Sequence, residues 1–181
     1  MPKKKKAEKP GWTEWFVEIQ FKTPVLGNQM AEEEGGPQRF LRMPHPVLGQ
    51  TVAALPARCF KASIIEAAER IETARGTRGY REKIRRVLQI KEDLVPFNTE
   101  PHAVITRPVL RQSGRRKQTA LAQYEVCNPG VTQASFHILV LEDAIPEDEL
   151  RYLLETAGEF CGVGAAHTLG FGRFIILSLK R

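Results

Sequence analysis

The stretch Cys161–Leu177, CGVGAAHTLGFGRFIIL, sets four glycines, Gly162, Gly164, Gly170 and Gly172, beside Arg173 and directly ahead of an apolar run. Glycine has no Cβ, so it takes positive φ and lets another backbone come close. Such a loop has either a steric job, packing the chain against itself, or a ligand job. The loop follows a helical pattern and opens a strand. In a dinucleotide-binding fingerprint or a phosphate loop the order is reversed, strand leading through glycines into helix, and the Gly-Lys-Ser/Thr ending of an NTPase loop is absent here. No nucleotide cofactor is expected, nor any other.

Working outward, Pro146-Glu147-Asp148-Glu149 puts three acids at a helix start, where the macrodipole favours them, and Leu150, Leu153, Leu154 and Ala157 form one apolar face. The preceding VTQASFHILVLE alternates Ala134, Phe136, Ile138 and Val140 against Ser135, His137 and Leu139, which is strand periodicity. Two further strand patterns, AVITRPVL (103–110) and TALAQYEV (119–126), are joined by RQSGRRKQ. Arg107, Arg111, Arg115, Arg116 and Lys117 surround the Ser113-Gly114 turn, so this segment reads as a cationic β-hairpin. Five cations with no acid nearby favour a phosphate contact over a merely solvated turn.

Earlier in the chain, Trp15, Val17, Ile19 and Phe21 alternate with Phe16, Glu18, Gln20 and Lys22, giving a first strand that Thr23-Pro24-Val25-Leu26-Gly27 ends. AEEEGGP (31–37) reads as a surface loop. LPARCFKASIIEAAERIETA opens with Pro56, suited to a first helical turn, and aligns Phe60, Ile64, Ala68 and Ile71. YREKIRRVLQIKEDLVPF is ambiguous between helix and strand, with a strand favoured over Val87–Ile90. The order is strand, helix, strands, strand, helix, strand. It predicts an α+β, ferredoxin-like (RRM-like) βαββαβ domain with an inserted basic β-hairpin. Lysine-rich residues 1–11 have little to bury and are expected to be a disordered tail, leaving 12–181 as one domain.

The 181 residues are 42% hydrophobic, enough for one core, and 27 Lys and Arg against 21 Asp and Glu give a formal charge of +6 that favours polyanionic partners. Cys59, Cys127 and Cys161 are odd in number and lack C-x-x-C spacing, so neither a disulfide framework nor a metal site is suggested. No apolar run is long enough to span a bilayer, and a cytoplasmic protein without a membrane partner is expected. His45, His102, His137 and His167 have no partner fixed by spacing, so no general acid–base pair is assigned and no catalytic residue is expected.

GVGAAHTLGFGR (162–173), falling before the last strand of such a chain, resembles the C-terminal glycine-rich loop of the RAMP superfamily, the RNA-binding proteins of CRISPR systems. VEIQFKTPVLG (17–27) is similar to the opening strand and Thr/Ser-Pro-Leu turn of that family's backbone subunits, and LPARCFKASIIEAAERI to the helix after it. The resemblance implies a CRISPR-associated protein of antiviral defence whose glycine loop brings backbone N–H groups against RNA phosphates. Gly162, Gly164, His167, Gly170 and Gly172 would be contact residues, and Arg173 or Lys61 would supply charge. The hairpin occupies a position comparable to the family's thumb. The function so implied is non-catalytic binding of single-stranded RNA or DNA through its backbone, as one of several copies or beside other ribonucleoprotein subunits. Two alternatives stand beside it: a metal-independent endoribonuclease, and a phage-borne structural protein that keeps the fold without binding RNA.

Overall fold

The computed structural model describes residues 11–29, 36–113, 116–142 and 144–181, without the side chains of 110–118. The lysine-rich segment up to residue 10, most of the expected acidic loop, and Arg115 lie outside the described residues.

Strand β1 (Trp12–Phe21) follows the alternation in its sequence, with Trp15, Val17, Ile19 and Phe21 buried. After it come β2 (Val25–Leu26), β3 (Leu41–Pro44), β4 (Thr51–Pro56), helix α1 (Ala57–Arg75), helix α2 (Tyr80–Val87), β5 (Leu88–Ile90), β6 (Leu94–Pro96), β7 (Ala103–Ser113), β8 (Arg116–Cys127), β9 (Gln133–Leu141), helix α3 (Glu147–Thr156) and β10 (Phe174–Lys180). The molecule is α+β with antiparallel sheets. Its main sheet has four strands in the order β10-β1-β9-β5. Ala134, Phe136, Ile138 and Val140 of β9 are buried in its core as their alternation predicts. Helix α1 joins that core through Phe60, Ile64, Ala67, Ala68 and Ile71, and the Phe60 ring lies 5.1 Å from that of Phe136. Helix α3 adds Leu150, Leu153 and Leu154 to it.

Three local expectations change. Pro56 is the residue before α1, extended at φ −57 and ψ 136, because the chain arrives there as strand β4 and turns helical one residue later. The ambiguous basic segment splits into both elements: an eight-residue helix, about two turns, buries Ile84 and exposes Arg85 and Arg86, and the strand begins at Leu88. A small sheet ordered β3-β4-β6 was not expected from the sequence. Its middle strand buries Val52, Ala53, Ala54 and Leu55 consecutively, so no alternation marks it.

Strands β7 and β8 form a long hairpin paired from Ala103↔Val126 to Ser113↔Arg116, so the ladder runs on through most of the expected connector. One face of the hairpin builds a second, smaller core. Ala122, Tyr124 and Val126 pack there with Leu26, and Ile105, Val109, Ala165, Ala166 and Phe171 close over them. Val104 and Leu121, on the other face, are 53% and 73% exposed. Among the described residues, no helix is long and apolar enough to cross a membrane.

Candidate nucleic-acid interface

The glycine loop is held by the turn that ends β1. Thr23 Oγ donates to the Gly170 carbonyl at 2.9 Å and accepts from the Arg173 amide at 2.9 Å, so one hydroxyl pins both sides of the G-x-G-R segment. The Gly172 N–H donates to the Pro24 carbonyl (2.8 Å), the Ala165 N–H to that of Leu26 (3.1 Å), and the Lys22 N–H to that of Arg173 (2.8 Å). The TPVL turn and the glycine loop, about 140 residues apart in sequence, are thus laced together along their length.

All four loop glycines have positive φ, which disfavours any L side chain. At three of them the space is also taken by the chain itself. A Cβ on Gly164 would lie 2.6 Å from the Leu26 carbonyl oxygen, one on Gly162 2.6 Å from that of Phe171, and one on Gly172 would overlap the Val163 carbonyl. Gly170 differs, with nothing within 4 Å of its Cβ position. Much of the loop's glycine content therefore serves close packing, and Gly170 marks its open edge.

The cations gather unevenly. Arg107, on the inner face of the hairpin, lays its guanidinium over the Phe171 ring at 4.3 Å from the centroid. Its Nη1 is buried and has no hydrogen-bond partner among the described residues, and the same holds for Nη1 of Arg173. A buried guanidinium nitrogen without an acceptor carries an unmet demand for an anion or a water. Lys22 extends this edge of the loop and pairs with Glu159 at 2.8 Å, which holds the Glu159 carboxyl below its usual range. Lys61 faces away from the loop into a cleft of ≈ 550 Å³ with Gln89, Glu92 and Asp93, and Arg58 lines both this cleft and the one beside the loop. The side chains of Arg111, Arg116 and Lys117, like all of Arg115, fall outside the described residues; the backbone places 111, 116 and 117 at the far end of the hairpin.

His167 sits inside the loop, its Nδ1 3.1 Å from the Gly164 carbonyl oxygen and its Nε2 3.9 Å from Glu66 Oε2. The other histidines have local uses. His45 Nδ1 accepts the amides of Val47 (3.2 Å) and Leu48 (3.1 Å), and His102 Nδ1 accepts that of Asn128 (3.2 Å). His137 Nδ1 is 2.6 Å from Glu92, whose carboxylate also accepts the His137 amide. Burial pushes the Cys161 thiol up to about 11 and that of Cys127 up to about 12, so both stay neutral. Sequence reading missed Thr23, Phe171 and Glu66 as parts of the site. Thr23 stood in a quoted turn motif, but its bonding partners lie more than 140 residues on.

No protein-family model matches the chain, and no curated protein is similar to it in sequence. Solved structures are. A chain of the structure described as "Cryo-EM structure of the Type III-B Cmr-beta bound to cognate target RNA" superposes with a TM-score of 0.53 at 15% identity, over 93% of this chain and 60% of that one. A chain of a "Type IV-B CRISPR Complex" gives a TM-score of 0.51 at 12% identity, over 93% of this chain and 90% of the other. The chain therefore spans about three fifths of the matched chain in the first. What it shares with both is the fold, and the second of them is by its own description a CRISPR complex.

Proposed function

We propose that the glycine loop, the Thr23–Leu26 turn clamped to it and the base of the β7–β8 hairpin bind the phosphate backbone of single-stranded nucleic acid, RNA by preference. On this reading the chain is a non-catalytic subunit of a CRISPR ribonucleoprotein. The sheet order β10-β1-β9-β5, with α1 between the first and second of these strands in sequence and α3 between the last two, supports a ferredoxin-like domain into which the hairpin is inserted. The observation that carries the functional reading is Arg107. Stacked on Phe171 at 4.3 Å, it joins the hairpin to the glycine loop and keeps a buried nitrogen without an acceptor among the described residues, which a phosphate oxygen would supply. The backbone positions of Arg111, Arg116 and Lys117 lie farther along β7 and β8.

Backbone binding of this kind releases condensed counterions, so affinity for a single strand falls by roughly 0.7 log units per log unit of salt for each phosphate contact. Fluorescence anisotropy with a mixed-sequence single-stranded RNA should show that fall, and Arg107→Ala should weaken binding and flatten the slope. Incubation of the same RNA in EDTA should leave it intact, since His45, His102 and His137 hold loop amides or Glu92. Cleavage that His167→Ala abolishes would replace the binding reading with that of a nuclease.

A further inference from the structure

Between the first turns of α1 and the glycine loop lies a cleft of ≈ 420 Å³, with apolar walls from Cys59, Ala62 and Val163 and a polar end made by Glu66 and His167. The polar end has an unusual balance. A carbonyl oxygen can only accept, so Nδ1 of His167 carries a proton toward Gly164 at 3.1 Å. In the neutral ring Nε2 is then an acceptor, and it stands 3.9 Å from Glu66 Oε2. The other Glu66 oxygen, Oε1, is already engaged by Arg70 at 2.9 and 3.3 Å. Two acceptors thus face each other across a gap with no hydrogen between them. A primary amino nitrogen in that gap would donate one hydrogen to each.

The geometry points to a slot for one nucleobase that selects bases carrying an exocyclic amino group. The inference rests on the nucleic-acid reading above, because the slot adjoins the loop proposed to hold the strand. A cleft of this size accommodates a small ligand, and the bare backbone at Gly162 and Gly164 lines it beside the apolar side chains. Arg58 also lines the cleft and brings a cation to it. Cytosine, adenine and guanine bring an amino donor. Uracil has no amino group: its single N3–H can meet only one of the two acceptors, and its O4 sets a third acceptor beside them.

Cytosine and uracil differ on this edge by the N4 amino group against the O4 oxygen and by the proton on N3, so oligocytidylate and oligouridylate of equal length make the test. Their affinities for the full chain are measured at about pH 8, on the alkaline side, where the neutral ring is favoured. The slot requires oligocytidylate to bind about tenfold tighter. Glu66→Gln, which offers an amide donor where the carboxylate accepts, should bring the two affinities within about twofold while thermal melting confirms the fold. Equal binding of both oligomers by the unmodified chain overturns the slot and leaves the backbone reading standing. A preference that survives Glu66→Gln places selection elsewhere and also overturns it. Binding of neither oligomer defeats the nucleic-acid reading itself, and the slot with it.

Discussion

Thr23 is the residue on which the loop's position turns. Its hydroxyl serves the Gly170 carbonyl and the Arg173 amide at once, in a half-buried setting, and each bond contributes about 1 kcal/mol net. Thr23→Val keeps the shape and removes both, so denaturant unfolding should show a loss of about 2 kcal/mol; Thr23→Ser should restore most of it. The glycines separate in the same way. Gly164→Ala drives a methyl into the Leu26 carbonyl and should cost several kcal/mol, whereas Gly170→Ala meets open space and should cost only the about 1 kcal/mol of its left-handed backbone. Equal losses at the two positions would contradict the assignment of separate roles.

At the scale of elements, the hairpin and the glycine loop form one unit through the second core, with Phe171 and Ala165 under Ile105, Val109 and Tyr124. Phe171→Ala removes that ring and the seat of Arg107 together, and should loosen the hairpin and lower nucleic-acid affinity while the four-stranded sheet persists. Amide exchange read separately over β7–β8 and over β1–β9 distinguishes this from global unfolding. A second joint links the helices. The Glu72 carboxylate near the end of α1 accepts the Arg81 amide at 2.8 Å in the first turn of α2, and that bond holds its pKa below the usual carboxylate range. A lowered folded-state pKa means stability that is present above the unfolded value and lost as pH falls through the folded one. Acid titration of stability should therefore show a small decline below about pH 4 that Glu72→Gln flattens.

The elements also show what a sequence can reveal. Strand β1, β9, α1 and α3 were legible because each buries one face, and period two or 3.6 writes that face into the residue order. Strand β4 was not, since Val52–Leu55 is buried on both sides and shows no period, and β3 ends in Pro44 after four residues. Of the site, the loop glycines, Arg107 and Arg173 were legible as a composition of cations and small residues. The Thr23 clamp, the Arg107–Phe171 stack and the Glu66–His167 gap were not, because each joins residues far apart along the chain.

For the whole molecule, the fold shared with a chain of the Type III-B Cmr-beta structure and with one of the Type IV-B CRISPR complex covers nearly the full length of this chain at low identity, so the architecture is common ground and function has to be argued from the surface. The central claim is that this surface grips a strand by its phosphates at the junction of hairpin and loop. The most direct measurement is the dissociation constant of a mixed-sequence single-stranded RNA across a salt series, for the full chain and for Arg107→Ala combined with Arg116→Ala and Lys117→Ala. Tight binding at low salt, a linear fall of log affinity with log salt, and a slope shallower by about 0.7 for each lost contact in the triple variant are the predicted results. Absence of binding at low salt, or an affinity indifferent to both salt and the three arginine and lysine replacements, would contradict the claim.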